Sequence, residues 1–333
     1  MGLSREVTAT VATNLAMITN EVAAAVTALA SGKLCAIPTE TVYGLAANAL
    51  DESAVARVFA AKERPADHPL IVHVATAQDA NEWITQLPKW TIDLTAAFWP
   101  GPLTIVGPRT SLASDLVTGG QDTVAVRVPS HPIAQELLSQ LKVQGIKGLV
   151  APSANRFGHV SPTSASHVFA DLGEYLSGND DLILDGGDSQ VGLESTIVLA
   201  TGPEPVILRP GAITSADIER VTGVAVLSQG TNVPRVSGSL ESHYSPIAKV
   251  VLIADTSDME FGVSAGFLAL AQVPTPAGLI RLGSPASIED FAHELYSCLR
   301  SGDDLSLATI YVVPPKGQGL AHAINDRLQR AAF

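Results

Sequence analysis

The sequence predicts a mixed α/β fold for most of the chain, followed by a smaller second α/β domain. Short apolar runs typical of buried strands recur, and segments with helical spacing lie between them without strict alternation. This mixture favours a twisted sheet of mixed strand direction. Between residues 228 and 245, glycine, serine, asparagine and proline replace the apolar runs, which predicts a linker. We therefore expect a first domain over residues 1–227, a linker over 228–248 and a second domain over 249–333.

The composition is that of a compact protein with enough chain for two hydrophobic cores. Of its 333 residues, 46% are hydrophobic and 16% are charged, a balance that disordered segments do not have. The formal net charge is −13, which argues against nucleic-acid binding through bulk phosphate neutralisation. A site for an anionic ligand would draw on few cations, so each lysine or arginine in a motif is informative.

The cysteines and the apolar stretches predict a cytoplasmic protein with no membrane partner. Cys35 and Cys298 lie far apart within apolar runs, so they predict buried free thiols rather than a disulfide framework or a metal cluster. The N-terminus lacks the charged and apolar regions of a secretory signal. The longest uncharged stretch is broken by Pro274 and Pro276, which predicts a strand with a loop rather than a membrane span.

The first domain is predicted to begin with a helix, a buried strand and a polar turn. Val22, Val26 and Leu29 recur at helical spacing over residues 21–31, and the short apolar run at 34–37 predicts a strand. Further elements are predicted, in order, as a helix at 51–64, a strand at 69–74, a helix at 81–87, strands at 103–106 and 123–128, a helix at 132–141, a strand at 148–151, a helix at 165–176 and strands at 182–184, 196–199 and 206–208. The second domain is predicted to contain strands at 250–254, 266–270 and 309–313, with helices at 287–299 and from 320 onward.

The turn after the first strand is unusually polar. Thr39, Glu40, Thr41 and Tyr43 fall within five positions, between a proline that restricts the backbone and Gly44, which permits unusual dihedral angles. These side chains are poor core material but good hydrogen-bonding partners. Two interpretations stay open for this stretch alone: an ordinary loop from a strand to a helix, or one wall of a binding site.

Polar and cationic residues also interrupt or follow several other predicted elements. In an open α/β sheet, ligand-binding groups gather at strand ends, and a buried charge needs a partner. Structural alternatives exist: His73 as a satisfied half-buried histidine, Arg127 as half of an ion pair, and Lys62 with Arg64 as a solvated helix end. Their occurrence together in an acidic chain favours a site. The full set consists of Lys62, Arg64, His73, Arg127, Ser153, Asn155, Ser195, Thr196 and Arg209.

Common phosphate-binding and nucleophile motifs are absent from the sequence. It contains no GxxxxGK followed by Ser or Thr, no GxGxxG after a strand and no GxSxG elbow. The Gly-rich stretch at residues 185–188 is flanked by aspartates, which would repel phosphate. If the chain is an enzyme, we expect it to act by positioning and charge stabilisation rather than through a covalent nucleophile.

Seven motifs, in order, resemble those of threonylcarbamoyl-AMP synthases of the YrdC family. They are IPTETVYGLAANA, AAKERPADHPLIVHV, FWPGPLT, TVAVRVPSHP, APSANRFGHVSPTSA, GLESTIV and ILRPGAI. Two later segments, HYSP and GLAHAINDRL, resemble the linker and the C-terminal domain of the longer, two-domain members. The resemblance extends over about residues 20–333 and is most specific over 34–213. Any one motif alone would be a weak signal, whereas seven in order are a strong one.

The resemblance implies a YrdC-like twisted mixed sheet with an open cavity, plus a small Rossmann-like C-terminal domain. It also implies a reaction in which L-threonine, bicarbonate and ATP, with Mg²⁺, give L-threonylcarbamoyladenylate and pyrophosphate. In the family, a separate tRNA threonylcarbamoyl transferase uses that product for the N6-threonylcarbamoyladenosine modification of tRNA. Stable nucleic-acid binding by this chain is therefore not expected.

The same resemblance implies site residues, position by position. The expected contacts of L-threonine are Thr41, His73, Arg127, Ala151 and Ser195. The expected contacts of ATP are Arg64, His68, Thr123, Ser153, Ser161, Arg209 and Tyr244. Lys62 and Arg64, with Ser153 and Asn155, match the KxR and SxN signature of the family and are expected to be catalytic. No residue is implied as a metal ligand.

Two other functions fit the sequence less well than the one this resemblance implies. A double-stranded RNA-binding module has been associated with this fold, but the net charge of −13 argues against it. A carbamoyltransferase of hydrogenase maturation would carry acylphosphatase and zinc-finger segments, and two cysteines are too few for the latter. The linker departs from the family pattern of SPGM and basic residues before HYAP, because residues 236–246 read VSGSLESHYSP and include the acidic Glu241.

Overall fold

The computed structural model describes residues 17–176, 180–227, 233–238, 243–255 and 265–333. Two segments of the predicted linker, 228–232 and 239–242 with Glu241, lie outside the described residues. The domain boundaries expected at 227 and 249 therefore stay predictions.

The described residues form fourteen strands and ten helices that are mixed along the chain without strict alternation. The strands are β1 (Ile18–Thr19), β2 (Cys35–Ile37), β3 (Gly44–Asn48), β4 (Ile71–His73), β5 (Leu103–Pro108), β6 (Thr123–Arg127), β7 (Leu149–Val150), β8 (Leu182–Leu184), β9 (Thr196–Leu199), β10 (Val206–Arg209), β11 (Lys249–Leu252), β12 (Ala265–Leu268), β13 (Ile280–Gly283) and β14 (Thr309–Val312). The helices are α1 (Val22–Ala30), α2 (Glu52–Lys62), α3 (Ala77–Ala80), α4 (Trp90–Phe98), α5 (Asp115–Thr118), α6 (Pro132–Val143), α7 (Ala165–Leu176), α8 (Ser215–Thr222), α9 (Ile288–Asp304) and α10 (Leu320–Ala331).

The first ten strands form one mixed sheet in the order β1-β8-β2-β3-β7-β4-β6-β5-β9-β10. Strands β2, β3, β7 and β4 run antiparallel to their successive neighbours, whereas β4 and β6, and also β5 and β9, are parallel pairs. In the pairing of β4 with β6, His73 lies opposite Arg127. Two polar side chains from distant parts of the sequence are thereby placed side by side.

Apolar clusters cover both faces of this sheet. On one, helices α1 and α6 pack Val26, Leu29, Leu137 and Leu141 against Ile37. On the other, α2 packs its buried side chains among the inward-facing residues of β3, β5 and β6. Because both faces are covered, a polar group at a strand end is shielded from solvent, and its charge must be paired inside the protein.

The last four strands form a separate parallel sheet in the order β11-β14-β12-β13. Helices α9 and α10 pack Phe291, Leu295, Ile324 and Leu328 against it, together with Ile310. Helix α9 begins at a capping box, in which Ser287 and Asp290 exchange hydrogen bonds. The second α/β unit and the mixed α/β fold class expected from the sequence are confirmed.

Some expected elements differ in the structure. The helix expected at 81–87 is wrong: α3 ends at Ala80, and the chain turns so that Trp83 is buried and Ile84 bridges to Arg109. Gln86 has a positive φ of 54°, which a continuing helix does not allow. Strands β1, β3 and β13 and helices α4, α5 and α8 were not expected from the sequence. Among the described residues, no helix is both long and apolar enough to cross a membrane.

Candidate active site

A small cavity of about 50 Å³ lies where the polar turn, the ends of several strands and the linker meet. Strands β4, β6 and β10 present their last side chains to it, Arg64 reaches it from just beyond the end of helix α2, and the loop after β7 forms another wall. The expected site residues that line it are Thr41, Arg64, His73, Arg127, Ala151, Ser153, Ser195, Arg209 and Tyr244. Which of them contacts which substrate stays a prediction.

Five other expected site residues do not line this cavity. Lys62 contacts the backbone of the loop that carries Ser153 and Asn155. Ser161 donates a hydrogen bond to Glu194, which does line the cavity. The ring of His68 packs edge to face on Phe157, with 5.3 Å between centroids. Thr123 lines a different, very small cavity beneath residues 235–237.

The polar turn after β2 is held by its own hydroxyl groups. Thr39 Oγ1 accepts hydrogen bonds from the backbone N–H groups of Thr41 and Val42, and donates to the Val42 carbonyl at 2.6 Å. Tyr43 points away and donates to the carbonyl of Gly187 at 2.7 Å. The chain then enters β3 rather than a helix, since β3 pairs antiparallel with β2. The turn is one wall of the cavity, with Thr41 at its surface.

Arg127 is the central cation of this wall and is almost fully buried. Its Nη1 donates to Thr41 Oγ1 at 2.8 Å, and its Nε donates to the Gly101 carbonyl at 3.3 Å. Its Nη2 lies 2.6 Å from Glu40 Oε1 as an ion pair. Burial would raise the pKa of Glu40, but the charge of Arg127 lowers it below its ordinary value, so Glu40 is a carboxylate. Glu40 orients Arg127 and keeps its charge paired.

His73 is a neutral histidine that faces the cavity. Its Nδ1 lies 3.1 Å from the Ile71 carbonyl, and because a carbonyl only accepts, Nδ1 carries the proton. Burial first, and the charge of Arg127 second, lower the pKa of His73 to about 3. Nε2 is therefore an acceptor at neutral pH, beside the arginine.

Lys62 supports the loop that carries Ser153 and Asn155. Its Nζ donates to the backbone carbonyls of Ser153 and Asn155, both at 2.5 Å. The Asn155 amide donates to the carbonyls of Arg156 and His159 and braces the same loop from within. Burial, with the nearby charge of Arg64, lowers the pKa of Lys62 well below its ordinary value. In this geometry the KxR and SxN pairs form one unit, in which Ser153 reaches the cavity and Lys62 holds its backbone.

Arg64 and Arg209 form a second cationic part of the cavity lining, and both bond the linker. Arg64 Nη2 donates to the Pro69 carbonyl at 3.0 Å and to Ser237 Oγ at 3.2 Å. Arg209 donates to the Ser195 carbonyl through Nε and Nη2, and to the Ser237 carbonyl through Nη1 at 3.0 Å. Burial lowers the pKa of Arg64 to about 10, so it stays charged at neutral pH. Both arginines thus contact the linker at Ser237.

The linker fills much of the remaining space. Gly238 has a positive φ of 80°, and a Cβ at that position would lie 2.3 Å from the Tyr244 hydroxyl. Tyr244 and His243 are buried, with 4.1 Å between their ring centroids. The Tyr244 hydroxyl is buried and has no hydrogen-bond partner among the described residues. Buried polar groups normally have a hydrogen-bond partner, so the Tyr244 hydroxyl is available to bond a ligand in the cavity.

Sequence reasoning missed several residues at this site. Glu40, Glu194, Ser237 and His243 all face the cavity or its arginines, and all lie within or beside quoted motifs. For Glu40 and Glu194, the available signal was a carboxylate inside an otherwise apolar or hydroxyl-rich motif. A buried carboxylate in a cationic region must have a positively charged partner. Among the described residues, no group of three or more histidines, cysteines or carboxylates could hold a metal ion.

The fold and the cavity define a two-unit α/β protein with an arginine-lined cavity at the strand ends of its first sheet. A family model described as "Telomere recombination" (Sua5_yciO_yrdC) matches residues 27–211. A second, described as "Threonylcarbamoyl-AMP synthase, C-terminal domain", matches residues 213–333. The chain therefore belongs to the Sua5, YciO and YrdC family, in the two-domain form that carries this C-terminal domain.

Individual relatives match over nearly the whole chain. The threonylcarbamoyl-AMP synthase of Pyrococcus abyssi is 37% identical in an alignment of length 316 that covers 90% of this chain and 91% of that protein. The threonylcarbamoyl-AMP synthase of Bacillus subtilis is 35% identical in an alignment of length 329 that covers 94% of this chain and 93% of that protein. The crystal structure of P. abyssi Sua5 complexed with L-threonine superposes with a TM-score of 0.82 at 35% identity, covering 93% of this chain and 94% of that one. These matches confirm the resemblance found in the motifs.

Proposed function

We propose that this chain is a threonylcarbamoyl-AMP synthase, which condenses L-threonine, bicarbonate and ATP to L-threonylcarbamoyladenylate and pyrophosphate. The observation that carries the proposal is the cavity in which Arg127 and the polar turn face Arg64 and Arg209. Relatives with that name, matched over nine-tenths of the chain, support it.

Threonine would be held on the side of the polar turn. The planar guanidinium of Arg127 is suited to the threonine carboxylate, since its five N–H groups are not all used by Thr41, Gly101 and Glu40. The Nε2 atom of His73 offers an acceptor to the ammonium or the hydroxyl group of threonine. The L-threonine complex of P. abyssi Sua5 supports an amino-acid site in this fold.

The chemistry proposed for the site needs charge stabilisation more than a strong base. The amine of threonine adds to bicarbonate with loss of water, giving a carbamate. A carbamate oxygen then attacks the α-phosphorus of ATP, and the bond to pyrophosphate breaks. Arg64 and Arg209 would stabilise the negative charge on the phosphates during this displacement. Mg²⁺ would enter with ATP, held by the phosphate oxygens as part of the substrate.

The linker segment at Ser237 and Gly238 would have to withdraw before substrates bind. A cavity of about 50 Å³ is far below the roughly 300–1,000 Å³ of small-molecule sites. Ser237 and Gly238 lie on the cationic side, where the triphosphate would bind. Their displacement would let Arg64 and Arg209 exchange Ser237 for phosphate oxygens, while Tyr244 stays at the wall as the expected contact of ATP.

The product would be passed to a tRNA threonylcarbamoyl transferase for N6-threonylcarbamoyladenosine synthesis. An acyl-adenylate is a reactive mixed anhydride, so a consuming transferase of this kind is required by its chemistry. A reaction that uses ATP and serves tRNA modification would take place in the cytoplasm, with no stable nucleic-acid contact by this chain.

The proposal is tested by separating the products of ATP consumption by mass, with L-threonine and L-serine offered in parallel. We expect threonylcarbamoyl-AMP and pyrophosphate with threonine and bicarbonate present. Arg64→Ala should lower pyrophosphate release by at least ~100-fold, or ~2.7 kcal/mol of transition-state stabilisation. The exposed Arg220→Ala, which removes only a surface pair with Asp217, is the matched control. Absence of the adenylate, with ATP left intact by the wild-type chain, would overturn the proposal.

A further inference from the structure

Glu194 places a buried negative charge at the wall of a cavity that is otherwise cationic. It lines the cavity directly before Ser195 and is 6% exposed. Burial by itself would raise its pKa, but the charges of Arg327 and Arg209 lower it to about 2, so it is a carboxylate at neutral pH. An unpaired carboxylate here would repel any anionic ligand, and the repulsion would be strong because little solvent screens it.

The groups that neutralise Glu194 come largely from the C-terminal unit. Arg327 Nε, on α10, donates to Glu194 Oε2 at 2.8 Å, and Tyr296 on α9 donates its hydroxyl at 2.9 Å. Ser161 donates to Oε1 at 2.6 Å. Arg327 is itself 1% exposed, and its Nη2 donates to the Pro210 carbonyl at 2.9 Å. Arg327 thus reaches through the interface to the backbone beside Arg209.

The same arginine also contacts the linker. The guanidinium carbon of Arg327 lies 5.2 Å from the centroid of the Tyr244 ring, within the range of a cation–π contact. The ring of Tyr296 also stacks on Tyr244, with 5.7 Å between centroids and an interplanar angle of 25°. Tyr244 therefore contacts two side chains that also bond Glu194.

We infer that Arg327 is a positioning residue of the nucleotide site: it neutralises Glu194 at the cavity wall and seats Tyr244 of the linker. The inference rests on the proposed function insofar as the anionic ligand is taken to be ATP. It assigns a task to the C-terminal unit, which completes the electrostatics of a cavity built mainly by the first sheet. An ion pair that only stabilised the contact between the two units would not require Glu194 to line the cavity.

The test compares MgATP binding by Arg327→Gln, Glu194→Gln and the double variant, measured by calorimetry, with KM and kcat from pyrophosphate release. Arg327→Gln should weaken MgATP binding at least ~10-fold, because it leaves a buried carboxylate unpaired. The double variant should bind MgATP within ~3-fold of Glu194→Gln, because the unpaired charge is then gone. KM for ATP should follow the binding constant, with a smaller change in kcat.

Arg300→Gln is the matched control. Arg300, on α9, pairs with Asp171 at 2.7 Å across the same interface; the side chains are 11% and 15% exposed. It should lower the melting temperature without changing MgATP affinity beyond ~2-fold. If Arg327→Gln does not fold, Arg327→Lys and the double variant decide the question. Lysine keeps the positive charge beside Glu194, so Arg327→Lys should bind MgATP at least as tightly as the double variant Glu194→Gln/Arg327→Gln.

The inference is overturned if Arg327→Gln weakens MgATP binding no more than Arg300→Gln, or if removing Glu194 gives no rescue. It is also overturned if the wild-type chain does not bind MgATP. A wild-type chain that binds MgATP but forms no threonylcarbamoyl-AMP contradicts the proposed function alone, since the binding comparison still decides the role of Arg327.

Discussion

Replacing Lys62 with methionine removes the buried amino group that holds the loop of Ser153 and Asn155. Methionine has nearly the same length, so packing in the buried channel is largely kept. What is lost are two hydrogen bonds, from Nζ to the Ser153 and Asn155 carbonyls, both at 2.5 Å. The perturbation therefore tests whether Lys62 acts through the backbone of this loop.

The expected loss can be worked out from these contacts. Each buried carbonyl left without its donor costs about 1–3 kcal/mol. Relief of the burial penalty, which lowers the pKa of Lys62, offsets part of that loss. We expect a net decrease of about 2–4 kcal/mol in the free energy of unfolding, together with a large loss of turnover as Ser153 shifts.

The assay pairs urea unfolding, followed by circular dichroism, with pyrophosphate release under the same buffer conditions. Lys147→Met is the matched control, since it removes a lysine pair with Glu82 at 2.6 Å whose side chains are both 46% exposed. That control should cost less than about 1 kcal/mol and leave turnover unchanged. If Lys62→Met is as stable as the wild type but loses turnover, the reasoning fails, and Lys62 acts on the substrate directly.

Two further predictions follow from the site. Arg127→Lys should raise KM for threonine at least ~10-fold and KM for ATP much less. Lysine lacks the planar guanidinium, which can bond Thr41 and a carboxylate at the same time. Equal increases of the two KM values in steady-state kinetics would contradict the assignment. Burial lowers the pKa of His73 and His243 from 6.5 to about 3. The unfolded chain therefore binds protons first, so their stability contribution is complete above pH 6.5 and is lost as the pH falls toward 3. Each should contribute a slope of about 1.4 kcal/mol per pH unit in this window. The free energy of unfolding, measured with urea at pH 7 and at pH 5, should decrease less between these pH values in His243→Asn than in the wild type. His322→Asn, which replaces an exposed histidine, should show the same decrease as the wild type.

Particular residues show why part of the site could be read from the sequence. Thr41, His73 and Arg127 interrupt or follow apolar runs, and a polar side chain there must find a partner when the strand is buried. That argument selects candidates one at a time. It does not say that His73 lies opposite Arg127, because this depends on the register of β4 with β6, more than fifty residues apart in sequence.

Other roles depended on contacts that have no local signal. The spacing of Lys62 and Arg64 suggested two equivalent cations at a helix end. The helix instead ends so that Lys62 is buried against the loop of Ser153, whereas Arg64 reaches the cavity and the linker. The direction of a long side chain at a helix end is decided by what packs over it, which sequence spacing does not contain.

The sequence by itself determined the mixed α/β class, the second α/β unit, the family and half of the cavity-lining residues, because hydrophobic periodicity and motifs can be read from the chain without its fold. Only the tertiary structure decided that Lys62 supports a backbone loop and that Glu40 holds Arg127. It also decided that Glu194 is neutralised by Arg327, 133 positions away. Those outcomes come from burial: once solvent is excluded, each charge must meet its counter-charge wherever the fold brings one, and that pairing exists only in three dimensions.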